Sequence, residues 1–220
     1  MNYLILKYAY PLTAVILAIF AWVAYQRISR GWAEIVPLAI AAGVVWVLGA
    51  PLFIYLWPRI TVNGYKRAIV KRGLGEGPVP VNTLYAVPNT SSPSAARGSL
   101  LATGTDDVLY VGGWLDLTKG PQLLHVPDTA GRYYSLQLTN PADGANFAYV
   151  GKRTTGTAEG DYLLSGPGWK GTVPEGVTQI PSPSHAVLVI GRVFVGSESD
   201  LPVAYGLARQ MQLVPLGVDG

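Results

Sequence analysis

The chain has 220 residues, with 26 Gly, 17 Pro and no Cys; half of it is hydrophobic, 13% is charged and the formal net charge is +3. An ordinary soluble domain carries about 25% charged residues, so this is not one soluble domain, and so much Gly and Pro excludes a long coiled coil. The lack of cysteine excludes disulfides, thiolate metal sites and a cysteine nucleophile, and two His exclude a three-His site.

The apolar excess lies at the front. Residues 8–25 (YAYPLTAVILAIFAWVAY) and 35–57 (IVPLAIAAGVVWVLGAPLFIYLW) contain no charge. A helix needs about 20 apolar residues to cross the hydrocarbon core, so each run is long enough. Tyr8, Tyr10, Trp22, Tyr25, Trp32, Tyr55 and Trp57 sit at or near the run ends, where amphipathic rings favour headgroup level. Pro11, Pro37 and Pro51 are expected near helix ends, where a missing N–H costs least. Gly43 and Gly49 suit close packing of the second run against the first. The link QRISRGWAE is too short for a domain, and no signal-peptide cleavage site precedes Gln26. The expectation is an N-terminal transmembrane helical hairpin over residues 1–58.

Lys7 precedes the first run, Arg27 and Arg30 lie in the link, and Arg59, Lys66, Arg67, Lys71 and Arg72 follow the second. The positive-inside rule then places both termini in the cytoplasm. The five downstream residues are candidates for lipid headgroups, making the bilayer a partner. Beyond residue 73 the chain holds 8 Lys/Arg and 12 Asp/Glu, so its basicity is juxtamembrane. A nucleic-acid binder carries its basic stripe on the folded domain, so nucleic acid is excluded as a partner. Residues 59–79 form a connector whose middle, VNGYKRAIVKR, reads as a solvated linker helix in preference to one lying on the membrane.

From about residue 80, short apolar and β-branched runs alternate with Gly, Pro, Asp and Asn every 8–12 positions, the spacing of an all-β sandwich or barrel. Strands are expected at 107–115, 122–126, 133–138, 146–150, 161–165, 178–180 and 186–195. In YYSLQL, Tyr134, Leu136 and Leu138 share one face. HAVLVIGRVFV reads as a strand covered on both faces, with Gly191 marking a bulge or close approach. The tail DLPVAYGLARQMQLVPL reads as a helix capped by Asp200 and stopped by Pro215, with Ala204, Leu207 and Met211 on its core face. Residues 80–220 are therefore a mainly-β, jelly-roll-like sandwich with a C-terminal helix.

The runs GGWLDLTKGP, VPDTAGRYYSLQLTN, GKRTTGTAEGDYLLSGPGWKG and LVIGRVFV, in this order and closing on MQLVPL, resemble one bacterial family, the "domain of unknown function 1254", over roughly residues 80–216. The resemblance implies a β-sandwich in the cell envelope, exported or singly anchored, and so a periplasmic domain, opposite to the side the charges favour. It implies a partner, either a companion β domain of the 1214 type or a membrane complex; this chain stops before such a domain. It implies no reaction and supplies no catalytic residues.

Candidate chemistry is sparse. Asp116 and Asp128 suit an acid/base pair of glycosidase type, but also strand-end and turn hydrogen bonds. Arg132, Tyr134, Tyr149 and Arg153 suit a cleft for an anionic or sugar ligand, since guanidinium forks grip carboxylate and phosphate, or internal scaffolding. Arg192, inside an apolar strand, demands a partner, expected to be Asp116 or Asp161. Trp169 and Lys170 lie in a glycine-rich turn that lacks phosphate-loop spacing. His125 and His185 stand alone, so neither metal nor cofactor is expected. The first expectation is a non-enzymatic, membrane-anchored accessory protein; the alternative is a carbohydrate or lipid-linked-substrate binder or hydrolase using Asp116, Arg132, Tyr134 and Arg153.

Overall fold

The computed structural model of the chain describes residues 15, 18–23, 25–26, 32–74, 77–90 and 105–216. The chain divides into two compact units, Met1–Pro58 and Arg59–Gly220. Both draw on one helix, α1 (Trp32–Arg72), which is 41 residues long.

In the first unit the helix is apolar on every side. Val44, Val45, Trp46, Val47 and Leu48 cover more than a full turn, and each is over half exposed. A helix that buries a core stripe shows such residues on one face only. Phe53 and Trp57 stack along the surface with ring centroids 5.2 Å apart. Among the described residues, one helix is thus long and apolar enough to cross a membrane. Of the first apolar run, Val15 and residues 18–23 and 25–26 are helical. The turn that would close a hairpin, residues 27–31, lies outside the described residues, as do residues 8–14, 16–17 and 24 of the expected first span, 8–25. One detail differs from expectation. Pro37, Pro51 and Pro58 lie inside α1, not at its ends. Proline removes a helical hydrogen bond, but a segment this apolar has no better way to satisfy its other backbone groups, so the helix continues.

In the second unit the last turns of α1 are part of the core. Ile69 is 1% exposed, and Val62 and Tyr65 pack beside it. Residues 59–72 are therefore no separate solvated linker. Their apolar side covers the outer face of a sheet, against Val108, Tyr110 and Trp114.

That sheet holds five antiparallel strands in the order β1 (Tyr85–Ala86), β2 (Val108–Asp116), β8 (Ala186–Phe194), β4 (Tyr134–Thr139) and β5 (Asn146–Gly151). A second sheet runs β7 (Thr178–Pro181), β6 (Gly160–Ser165), β3 (Gln122–Val126) and β9 (Gln212–Pro215), with only the β6–β7 pair parallel. The sheets face each other across one core. Leu109, Val111, Leu136, Leu138, Val187 and Val189 enter it from the first, and Leu124, Val126 and Leu164 from the second, all fully buried. Helix α2 (Leu201–Gln210) closes the core with Ala204 and Ala208.

Period-two alternation builds this core. Tyr134, Leu136 and Leu138 share the inner face as expected. β8 alternates between fully buried and half-buried residues, because only part of its outer face lies under α1. β2 is the strand buried on both faces. Gly191 marks a close approach without a bulge: a Cβ there would meet Leu136 Cδ2 at 2.5 Å and Val111 Cβ at 3.0 Å. The tail departs from expectation. α2 ends at Gln210, and Gln212–Pro215 is a strand on β3. Asp200 stands at the helix start but makes no capping bond, because its carboxylate is engaged elsewhere.

Candidate functional site

Asp116 ends β2. Its Oδ1 accepts hydrogen bonds from the Thr118 backbone N–H (3.1 Å) and hydroxyl (2.6 Å). Its own N–H and C=O are held by the Asn82 side chain, so Asn82 continues the ladder where β1 has ended. Lys66 Nζ lies 3.9 Å from its other oxygen. The Thr118 hydroxyl foremost, with Lys66 assisting, holds the Asp116 carboxyl below its usual range. This is an anchored anion, the opposite of a proton donor tuned upward. Asp128 accepts the Ala130 N–H at 2.7 Å and so shapes a turn. In that turn Ala130 (φ 50°) and Gly131 (φ 80°) are both left-handed.

The turn delivers Arg132 to Asp200. The guanidinium donates from Nη1 to Asp200 Oδ2 (2.5 Å) and from Nη2 to Oδ1 (2.7 Å), and Nη1 also donates to the Phe194 carbonyl at 2.7 Å. A fork meeting a carboxylate this way combines charge with fixed geometry. It draws the Asp200 pKa down to about 2, with help from the Gly196 N–H. The pair ties β4 and β8 to the start of α2.

Asp116 pairs in register with Ala186 at the start of β8, whereas Arg132 bonds Phe194 at its end. Eight strand steps separate them, about 26 Å at 3.3 Å per residue. Tyr134 is fully buried; its hydroxyl reaches Thr155 at 3.5 Å, and burial pushes its pKa up. Tyr149 is exposed on β5 and accepts from Asn146 at 2.7 Å. Arg153 lies over the Tyr133 ring at 5.5 Å. The four residues expected to form a hydrolytic cleft do not converge.

Arg192 is half-buried on the outer face of β8 and lies over the Tyr110 ring at 5.7 Å. Its expected partners are taken: Asp116 by Thr118 and Lys66, and Asp161 by His125 Nδ1 at 2.9 Å. Arg192 faces outward because Gly191 and Val193 take the inner positions. Trp169 is half-buried and covers Gly171, where a Cβ would meet the indole at 2.4 Å. His185 is exposed in the turn before β8.

The basic residues of α1 divide by helical angle. Lys66 turns to the domain, over Trp114 at 5.7 Å and toward Asp116. Arg59, Arg67, Lys71 and Arg72 are exposed.

The motif GKRTTGT protects an edge. Thr154 donates to the Tyr149 carbonyl at 2.9 Å, and the Thr155 hydroxyl accepts the Gly151 N–H at 3.0 Å. These backbone groups on the free side of β5 are thus satisfied within the chain, which blunts the edge toward strand addition.

One groove stands out, of about 630 Å³ and open to solvent. The 129–133 turn and Lys152 line one side, Phe194 lies at the end of β8, and Asp200, at the start of α2, lines the other side with Val203 and Leu207. The sequence pointed to Arg132 but not to Phe194 or Val203, and it assigned Leu207 to the core face of the tail helix, where Ala204 and Ala208 are buried instead because they face the sheets. The groove exists only once β8 and α2 are brought together.

The family model described as "Protein of unknown function (DUF1254)" matches residues 81–215. Among solved structures, the VPA0106 protein from Vibrio parahaemolyticus is 29% identical over 50% of this chain and 28% of its own, with a TM-score of 0.48. An uncharacterised protein from Burkholderia cenocepacia is 17% identical over 54% of this chain and 32% of its own, with a TM-score of 0.36. The chain thus spans under a third of the length of either. No curated protein matches it.

Proposed function

This chain belongs to the DUF1254 family of proteins of unknown function, and from that premise we propose that it is a membrane-tethered β-domain protein of the bacterial envelope that works by binding a partner protein. The observation that carries the tether is the all-round exposure of Val44–Leu48 in an uncharged stretch of α1. Residues 35–57 rise about 35 Å at 1.5 Å each, enough for a hydrocarbon core of about 30 Å. The residues 8–25 would supply a second span, giving a multi-pass anchor in the cytoplasmic membrane.

The distribution of polar residues favours binding over catalysis. An acid/base pair must reach one substrate bond, within about 5–10 Å of each other. Of the expected pair, Asp116 stands at the Ala186 end of the β2–β8 ladder, whereas Asp128 shapes the turn beside Arg132, which bonds the Phe194 end; Asp116 and Arg132 are both engaged in bonds that hold the fold. The exposed Arg59, Arg67, Lys71 and Arg72 suit anionic headgroups; Lys66 serves the domain instead.

Native extraction in mild detergent, followed by light scattering on the eluted particle, tests this function. A particle carrying a second polypeptide in fixed ratio is the expected result. A lone chain, monomeric in every detergent tried, overturns it.

A further inference from the structure

We propose that the groove between the 129–133 turn and α2 is the docking site for that partner, and that the docking segment is an extended, acidic peptide with an apolar anchor. The proposal rests on the partner-binding function above and adds its site and chemistry.

Shape comes first. A small-molecule site buries most of its ligand, whereas this groove is open along its length and suits a chain segment lying across it. Its apolar residues come next. Phe194 is 40% exposed and Val203 58%, beside Leu207. Three apolar side chains grouped along one solvent-open groove suit a contact surface.

Charge selects the occupant. Arg132 and Asp200 cancel one another in their forked pair. Lys152 spends one donor on the Gly131 carbonyl at 2.7 Å, and Arg153 rests on the Tyr133 ring. Among the described residues neither enters an ion pair. Lys152 is thus the unbalanced charge of the groove lining, with Arg153 just outside it on the ring of the lining Tyr133, on a domain that beyond residue 73 has more Asp and Glu than Lys and Arg. A complementary partner is acidic at the rim and apolar at the floor. The rim is also preorganised. Ala130 is held left-handed, a conformation unfavourable for a non-glycine residue, and the Asp128 side chain fixes it there.

The test is a selection of phage-displayed random dodecapeptides on the full chain in nanodiscs, followed by Kd measurement on synthetic copies of the winners. The expected winners pair Asp or Glu with an aromatic or aliphatic residue. Val203→Glu and the double variant Lys152→Glu/Arg153→Glu should each weaken them about tenfold or more. All three positions are exposed, and an unchanged Tm confirms that the variants fold. Winners without acidic residues, or winners indifferent to Val203→Glu, overturn the groove while leaving partner binding intact. No enrichment at all also overturns the groove; the copurification above decides partner binding separately.

Discussion

The stretch GVVWVLGAPLFIYLW in α1 and the strand AVLVIGRVF are written in nearly the same alphabet, yet they end in opposite surroundings. In the strand every second residue is buried; Val187, Val189 and Val193 are fully inaccessible. In the helix, five successive residues from Val44 are all more than half exposed. What separates the two is length between interruptions. The uncharged run around the helix is long enough for a bilayer, whereas the strand is nine residues closed by turn residues at both ends. Apolar content alone does not say which solvent a segment chooses; uninterrupted length does.

Substitutions in the two regions should therefore behave differently. Leu136→Ala opens a cavity in the closed core and is expected to cost about 2–5 kcal/mol, lowering the unfolding temperature of the β domain in detergent. Val47→Ala on the exposed helix should leave that transition where it is. If the two shift it equally, the contrast is wrong. Gly191→Val comes next. Its side chain would press on Leu136 and Val111 from a central strand, and overpacking of this kind costs about 1–3 kcal/mol.

A smaller effect is readable in pH. The Asp200 carboxyl sits at about 2 in the fold against an ordinary 3.8. Its contribution to stability is complete above about pH 4 and drains away as pH falls toward 2, because the unfolded chain binds the proton first. Asp200→Asn should flatten that part of the stability curve and leave the curve's shape near neutrality unchanged. Smallest of all is Lys66→Met, which removes a half-exposed contact with Asp116 and the Trp114 face. It is expected to cost under about 1 kcal/mol, and Arg67→Met nothing measurable.

Much of the fold was legible because its signals are local. The alternation in YYSLQL, the turn signals around each strand and the close approach at Gly191 all follow from neighbours in sequence. The misses are tertiary. β1 is two residues long, too short to carry a period. MQLVP continues a helical pattern until β3 offers it a ladder. Arg192 reads as buried in a uniformly apolar strand, but its face is decided by the strands beside it. The candidate site was legible only in part. Arg132 and Arg153 are conspicuous, but their partners Asp200 and Tyr133 and the groove floor are set by the packing of β8 against α2.

The uncharged part of α1, residues 35–57, should reside in lipid, while the β domain, residues 59–72 included, should not need it. Alkaline carbonate washing of membranes tests this directly, comparing the full chain with a variant lacking residues 1–58. The full chain should remain in the pellet and the shortened one should appear, folded, in the supernatant. A full chain that is soluble without detergent would contradict the account.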